Sequence, residues 1–426
     1  MYVWSMFKGY LAGFYTYPVA TPIYNGIIVF IKKWQLISSL VVLLLAAAGF
    51  CWWRLYLYPK QTLFQSGKIA ENFRSMESIF PSKPIAKSTN PYKLQENIRE
   101  LNISYKFGGK TYTMPDLLDR TFTTGILVVK NDAIVYEQYF RGNSVSARNT
   151  SWSMAKSFIS ALVGIAIAEG KINSINDPIT KYVPELINSG YNNVPIKHIL
   201  QMSSGVRFDE GYSNPKSDVN ELLPKLFLYA RPMDRAIFDF PSEKVSGKEF
   251  HYMSLDSHVL GLLLRRATGR NIADYFQEKL WQPLGAESDA SWLTDLYGTE
   301  VTFCGLNATL RDYAKFGLLY LHEGKLNGKQ IIPQSWVKES VLPDRPDMQA
   351  GATDFQENAG FGYQYQWWIP PDTDGDFVAL GHRGQFLYIN PKHQVIIVKT
   401  SAAEKSLTSE IRLETIALLR AITNSL

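Results

Sequence analysis

The segment at residues 148–170, RNTSWSMAKSFISALVGIAIAEG, places a serine and a lysine three residues apart at the head of an apolar run. The apolar run predicts a helix, and Gly170 suits the position just after a helix end. Residues three apart share one face of a helix, so Ser153 and Lys156 would project side by side. Two interpretations stay open: Ser153 caps the helix, or it is a nucleophile with its base one turn away.

The Ser-x-x-Lys pattern is not specific by itself. It also occurs at Ser5/Lys8, Ser213/Lys216 and Ser335/Lys338. Pro215 disfavours a helix in the second of these pairs, and the third lies in a polar segment. Only Ser153 begins a long apolar helix. Such a helix could hold Lys156 away from water, which a lysine needs if it is to take a proton from serine.

The composition describes a folded chain whose positive charge is confined to one end. Of the 426 residues, 46% are hydrophobic and 13% aromatic, which excludes a largely disordered protein. The net charge is +5, but residues 1–70 hold six lysines and arginines and no acidic residue. The rest is nearly neutral, so we expect no nucleic-acid partner. Two distant cysteines and six scattered histidines predict no disulfide framework and no metal.

A candidate membrane anchor lies at residues 34–53, WQLISSLVVLLLAAAGFCWW, which carry no charge and have Trp at both ends. About twenty apolar residues cross a bilayer core, so we predict a single-pass helix. We expect it to stay uncleaved because 33 residues precede it. Residues 1–33 would form a cytoplasmic tail, with the role of residues 9–31 left open. Residues 54–99 would form a linker, and residues 100–426 a domain on the extracytoplasmic side of the inner membrane.

The order of the predicted elements indicates an α+β fold. Residues 125–140 suggest a hairpin turned at Asn131-Asp132, and residues 377–400 suggest a second hairpin before a closing helix. Helical patterns dominate between them, for example at residues 255–269 and 308–324. We expect an α/β sandwich, in which helices flank an antiparallel sheet built from both chain ends. A mainly helical region would be inserted, with the site in the cleft between the two.

Several segments resemble one known family. SMAKSF at 153–158 resembles the nucleophile motif of the penicillin-recognising serine hydrolases, in which Ser-x-x-Lys supplies nucleophile and lysine. HILQMSSGV (198–206), residues 247–269 and GHRGQF (381–386) resemble further segments of that family, in the same order. The similarity covers roughly residues 100–420. It is greatest to the class C β-lactamase-like branch, and there to 6-aminohexanoate-dimer hydrolases and related esterases.

The resemblance implies three catalytic residues. Ser153 would become acylated, and Lys156 would accept its proton or act as its electrostatic partner. Tyr252 would relay the proton to the leaving group and then help to activate water. Tyr212-Ser213-Asn214 also spells the family's Tyr-x-Asn form, so Tyr212 stays open as an alternative relay or as a substrate contact.

The resemblance also implies binding groups. The backbone N–H groups of Ser153 and Gln385 would form an oxyanion hole, and Ser254 would join Lys156 to the substrate, although it could merely cap the following helix. His382 and Gly384 would line the site, with Gly384 allowing close approach of the substrate backbone.

Two departures from the family pattern bear on the substrate. Ser254 stands where many members have asparagine, and His382 where many have a lysine that receives a carboxylate. An imidazole is mostly neutral at pH 7, so both departures favour small amides or esters over penicillins. We expect a membrane-anchored serine hydrolase that works through an acyl-enzyme without a cofactor. The alternatives are a β-lactamase or D-alanyl carboxypeptidase/esterase, and a tethered sensor that binds without turnover. The oligomeric state stays open.

Overall fold

The computed structural model describes residues 20–227, 231–353, 360–372 and 374–426. The chain divides into an N-terminal unit, Met1–Pro59, and a compact unit, Lys60–Leu426. In the N-terminal unit a helix over Ala20–Trp52 continues as a π-helical turn over Trp53–Leu57. Among the described residues it is the one helix long and apolar enough to cross a membrane, and a signal sequence near an N-terminus has the same properties.

This helix begins earlier than the predicted span at 34–53. Lys32 and Lys33 lie inside it rather than before it, and residues 20–31 belong to it. Pro22 does not interrupt it, because a proline in the first helical turn removes no intrahelical hydrogen bond. Of the predicted cytoplasmic tail, residues 1–19 lie outside the described residues.

An eight-stranded sheet forms the centre of the compact unit. Its strands in chain order are β1 (Gln95–Glu96), β2 (Thr123–Lys130), β3 (Ala133–Tyr139), β4 (Gly362–Gln364), β5 (Trp367–Ile369), β6 (Phe377–Gly381), β7 (Gln385–Asn390) and β8 (Val395–Ser401). The spatial order is β4-β5-β6-β7-β8-β2-β3-β1, antiparallel except for the short β1–β3 pair. Strands from the two chain ends meet where β8 pairs with β2, which confirms the predicted architecture.

The two predicted hairpins are present. Asn131 and Asp132 join β2 to β3 with φ angles of 48° and 64°, the left-handed pair that a tight two-residue hairpin turn requires. The second hairpin joins β7 to β8 through residues 391–394. The central strands β2, β7 and β8 are buried almost throughout, because helices cover both faces of the sheet.

Four long helices complete the layers: α1 (Ala155–Ala168), α2 (Ser254–Thr268), α3 (Leu310–Leu321) and α4 (Ser409–Asn424). Helix α3 lies on β7, β8 and β2, and its Phe316 stacks on Phe158 of α1 with ring centroids 3.7 Å apart. Helix α4 is tied to the sheet by Arg420, which donates to Asp376 at 2.8 and 3.0 Å. Helix α1 also packs against α2, so the segment that follows Ser153 lies between the sheet and the helical region.

The inserted region between β3 and β4 is mainly helical, as predicted. Its shorter α-helices span Ile196–Leu200, Asp218–Phe227, Met233–Ala236, Ile272–Phe276 and Gln334–Ser340. A four-stranded sheet contains Ser82–Ile85, Ala290–Leu293, Leu306–Ala308 and Asn149–Thr150 in that spatial order. Two small hairpins lie at Ser104–Phe107/Lys110–Thr113 and Lys325–Leu326/Lys329–Gln330. Further short helices before α1 span Tyr58–Gln61, Ile69–Asn72, Met76–Ile79 and Met114–Arg120.

The predicted linker over 54–99 differs from the structure beyond Pro59. Phe73, Met76 and Phe80 are buried in the hydrophobic core, and Ser82–Ile85 pairs with Ala290–Leu293. The prolines there suggested a linker, but this strand is at the edge of its sheet, where a proline costs no ladder hydrogen bond. Residues 60–99 are therefore part of the compact unit.

Strand β6 ends in close contact with the turn that carries Ser153. A Cβ atom added to Gly381 would lie 2.3 Å from the carbonyl oxygen of Ser151 and 2.8 Å from the Cβ of Gln385. Since both neighbours are held by the backbone, only glycine lets the sheet edge approach the turn that carries Ser153.

We predict that Gly381→Ala lowers the free energy of unfolding of the compact unit by about 1–3 kcal/mol, because the methyl group must push β6 away from Ser151. Thermal melting followed by circular dichroism measures the loss. Gly49→Ala is the matched control, because an added Cβ there has no atom within 4 Å. Equal melting temperatures for the two variants would contradict the prediction.

Candidate active site

Ser153 lies in a tight turn rather than at a helix cap. Trp152–Met154 forms one turn of 3-10 helix, and α1 follows from Ala155. Trp152 has a left-handed φ of 45°, which turns the half-buried Ser153 side chain toward a cavity. The residue that caps α1 is Met154, which makes no side-chain capping bond, so the interpretation of Ser153 as an N-cap is wrong.

Lys156 is the buried partner of Ser153. Its side chain is 1% exposed, so it is not a surface lysine. Its Nζ lies 3.1 Å from Ser153 Oγ, 3.0 Å from Ser254 Oγ and 3.5 Å from the carbonyl oxygen of Phe303. The Nζ also faces the Tyr252 ring, 4.8 Å from the ring centroid. The structure thus brings together Ser153, Lys156, Ser254 and Tyr252.

Ser254 does not cap the helix that it begins. Met253 occupies the N-cap position of α2, while Ser254 Oγ donates to Glu210 Oε1 at 2.6 Å and Ser254 N donates to Glu210 Oε2 at 2.7 Å. The buried Glu210 carboxylate therefore accepts a backbone N–H at the start of α2, where the helix dipole is positive. The alternative that Ser254 is only an N-cap is excluded by these bonds.

Glu210 is a site residue that the sequence analysis missed. It is 1% exposed, and besides Ser254 its Oε1 accepts from the Tyr212 hydroxyl at 2.5 Å. Its position two residues before Tyr212 carried no pattern to separate it from surface acids. The signal available was electrostatic, because a buried lysine requires a buried acidic group nearby.

Tyr212 and Tyr252 occupy different sides of the site. The Tyr212 ring lies 4.7 Å from the His382 ring and faces the cavity that Ser153 lines. Asn220 Nδ2 holds this loop by donating to three carbonyls, including that of Tyr212 at 3.0 Å. Tyr252 instead packs on Trp368, with centroids 5.1 Å apart, and faces Lys156.

His382 is neutral at physiological pH. Its ring is enclosed by Trp152, Phe64 and Tyr212, at centroid distances of 5.6, 6.4 and 4.7 Å. Burial lowers the pKa of His382 well below its usual value, and the nearby charge of Arg383 adds to the effect. A neutral imidazole has no charge with which to bind a substrate carboxylate, and this agrees with the expectation from the sequence.

The turn from β6 to β7 sets the positions of Gly384 and Gln385. Gly384 has a φ of 94°, and an added Cβ would lie 3.0 Å from Ser401 Cβ. The glycine is therefore required by the turn and by contact with β8, and its expected role of admitting the substrate backbone stays a prediction. The Gln385 side chain donates to Ser401 O at 2.7 Å and accepts from Ser401 N at 3.1 Å, which fixes its backbone beside Gly381.

A cavity of about 170 Å³ opens at Ser153. Its lining includes Ser254, Tyr212 and His382, with Phe64 and Trp152 on the apolar side. Cys304 also lines it, but burial raises the pKa of its thiol to about 12, so it offers no thiolate at neutral pH. Across the described residues no group of three or more His, Cys, Asp or Glu side chains is placed to hold a metal.

The family model described as Beta-lactamase matches residues 116–421. The chain belongs to the β-lactamase family. It shares 30% identity over 304 residues with the 6-aminohexanoate-dimer hydrolase of Paenarthrobacter ureafaciens. The aligned region covers 68% of this chain and 76% of that protein. The family unites serine hydrolases that act as amidases or esterases, which confirms the predicted enzyme class.

Solved structures of β-lactamase-family proteins share the fold. One is a Bacillus anthracis protein assigned as a 6-aminohexanoate-dimer hydrolase, with a TM-score of 0.76 and 25% identity, covering 85% of this chain and 96% of that one. Another is a penicillin-binding protein of Bacillus halodurans, with a TM-score of 0.55 and 18% identity, covering 71% and 99%. The second similarity shows the fold alone.

We predict that Glu210→Gln lowers kcat of this β-lactamase-family protein about 10- to 100-fold, since it weakens charge-assisted bonds to Ser254 and Tyr212. Steady-state hydrolysis of p-nitrophenyl butyrate measures the loss of kcat.

Glu249→Gln is the matched control, because that carboxylate is 60% exposed. Equal kcat values for Glu210→Gln and Glu249→Gln would contradict the prediction.

Proposed function

We propose that the protein is a membrane-anchored serine hydrolase that cleaves a small amide or ester through an acyl-enzyme on Ser153. The observation that carries the proposal is the position of Lys156 Nζ, 3.1 Å from Ser153 Oγ and 3.0 Å from Ser254 Oγ. A buried lysine within reach of a serine in a cavity is the arrangement of an activated nucleophile.

The hydrogen-bond directions support proton transfer from Ser153 to Lys156. Ser254 Oγ gives its proton to Glu210, so it can only accept from Nζ. The Phe303 carbonyl, 3.5 Å from Nζ, likewise can only accept. An unprotonated lysine uses its two N–H groups on these acceptors, and its lone pair then faces the Ser153 hydroxyl.

The same surroundings stabilise the ammonium that forms. The Tyr252 and Phe303 rings present their faces at centroid distances of 4.8 and 5.6 Å, and Glu210 balances the charge through Ser254. Acylation then proceeds by attack of Ser153 Oγ on the substrate carbonyl carbon. Tyr252, against Lys156, passes the proton to the departing amine or alcohol and helps a water to attack the acyl-enzyme.

The turn at Ser153 and the start of β7 are suited to hold the oxyanion. Gly381 pairs with Gln385 and contacts the turn at Ser151, so the N–H groups of Ser153 and Gln385 belong to adjoining backbone segments. We assign both to the oxyanion hole, with Ser254, His382, Gly384 and Tyr212 as substrate-binding positions.

A small amide or ester is the substrate class that the site supports best. The neutral His382 gives no charge for a carboxylate, and Arg383, which also lines the cavity, donates to the carbonyls of Ala403 and Glu404. The relative in Paenarthrobacter ureafaciens is a 6-aminohexanoate-dimer hydrolase. The N-terminal helix would hold the enzyme at the inner membrane through residues 34–53, which span the end of Ala20–Trp52 and the first residue of the following π-helical turn, with the catalytic unit on the extracytoplasmic side.

We predict that Ser153→Ala lowers kcat for p-nitrophenyl butyrate by about a thousandfold or more, because no acyl-enzyme can form. The full-length chain, followed from the first seconds, should give sustained release of p-nitrophenol. Ser335→Ala is the matched control, since Ser335 belongs to another Ser-x-x-Lys pair and lies in the helix Gln334–Ser340. Sustained turnover by Ser153→Ala would contradict the proposal, and a single burst from the natural chain would favour the sensor alternative.

Kinetics of two variants can distinguish the proposed proton-relay role of Tyr252 from the substrate-binding role of Tyr212. We predict that Tyr252→Phe lowers kcat about 100-fold or more, because the hydroxyl that passes the proton is lost. Tyr212→Phe should mainly raise KM, because its hydroxyl binds Glu210 and its ring lines the cavity. Steady-state kinetics of the two variants with the same ester tests the pair, and the opposite pattern would transfer the relay role to Tyr212.

A further inference from the structure

A second cavity adjoins the cavity at Ser153. Its volume is about 200 Å³, and it shares four lining residues with the first: Phe64, Trp152, Asn220 and Cys304. Trp152 precedes the nucleophile directly in the chain, so the shared lining begins next to Ser153. We call this second space the distal cavity.

The walls of the distal cavity are mainly apolar. Leu63, Met76, Phe80 and Leu293 line it and are each less than 9% exposed. Three polar side chains also line it. Lys60 Nζ lies 6.0 Å from the Phe80 ring centroid, Asn220 Nδ2 donates to three backbone carbonyls, and the Cys304 thiol is protonated. A cavity lined mainly by apolar side chains binds hydrocarbon in preference to water.

Half of this lining comes from a segment outside the matched family region. Five lining residues lie between residues 60 and 80, whereas the family match begins at residue 116. Phe64 connects this segment to the site. Its ring stacks on Trp152 with centroids 5.8 Å apart, and the Arg383 guanidinium lies over the Phe64 ring, 4.2 Å from its centroid. The distal cavity is thus built in part by residues that precede the matched family region.

We propose that the distal cavity binds the unbranched hydrocarbon chain of the substrate's acyl group, which makes residues 60–80 a determinant of substrate specificity. The proposal rests on the proposed acyl-enzyme at Ser153. With the acyl carbonyl at Ser153, the chain passes Trp152 and Cys304 into the apolar space. The enzyme then selects amides and esters of medium-length aliphatic acids over acetyl or branched acyl compounds.

The selectivity has an expected size. Each methylene that enters an apolar site raises kcat/KM about two- to fourfold, as long as the methylene stays buried in the transition state. The gain should stop when the cavity is full, so a plot of log kcat/KM against acyl length rises and then levels.

The experiment uses the full-length chain in lipid nanodiscs, since detergent tails could occupy the cavity. The kcat/KM values are measured for p-nitrophenyl acetate, butyrate, hexanoate and octanoate. Leu63→Phe and Met76→Phe narrow the distal cavity without touching the cavity at Ser153. Leu342→Phe is the matched control, because Leu342 is 71% exposed.

We expect kcat/KM to rise with acyl length in the natural chain and in Leu342→Phe. The narrowed variants should keep the acetate value within about twofold and lose at least about tenfold on octanoate. Equal length dependence in all variants, or a preference of the natural chain for acetate, would overturn the proposal. Should the narrowed variants fail to fold, Phe64→Ala provides a second test, because this side chain is 38% exposed and its loss should weaken the length dependence.

The two proposals fail in different ways. If the natural chain hydrolyses no ester, or Ser153→Ala hydrolyses them equally well, the acyl-enzyme on Ser153 is wrong. If acetate is hydrolysed through Ser153 without length dependence, only the assignment of the distal cavity is wrong.

Discussion

The site depends on one constraint, which is that a lysine amine must be held out of water beside a serine. Burial of Lys156 costs free energy because its amino group loses the hydration that it would have in water. The protein offsets this cost with the acceptors around Nζ, with two aromatic faces and with the carboxylate of Glu210 acting through Ser254. Apart from Ser153, these partners come from three segments, at Glu210, Tyr252–Ser254 and Phe303, so the lysine site exists only when the helical region has packed against α1.

The sheet supplies the second half of the site. Helix α1 alone would leave Ser153 on a turn with nothing facing it, and β6 and β7 supply that opposing surface because Gly381 allows contact with Ser151. These strands are paired to β8, and β8 to β2. Since β2 lies before α1 in the chain and β8 near its end, the geometry at Ser153 couples distant parts of the sequence. Removing either end of the compact unit should therefore affect the site as well as the fold.

Local patterns were sufficient to predict the elements and part of the site. The hairpin at Asn131-Asp132, the apolar helix after Ser153 and the pairing of strands from both ends follow from periodicity and turn residues. Glu210 was missed because its role depends on contacts with Ser254, 44 residues later. The proline-rich segment was misread as a linker because proline at a sheet edge and proline in a linker look alike in sequence.

The same segment explains how a shared catalytic frame can acquire a different substrate. The proposed catalysis constrains Ser153, Lys156 and their neighbours closely, because a displacement of about 1 Å in a reacting group is costly. An apolar wall has no such constraint, since hydrophobic contact is non-directional and scales with the area buried. Residues 60–80 contact the site through Phe64 on Trp152, next to the nucleophile but outside the hydrogen-bond network of Lys156. Their side chains can therefore change in size with little effect on proton transfer, while the length of hydrocarbon that the protein accepts changes with them.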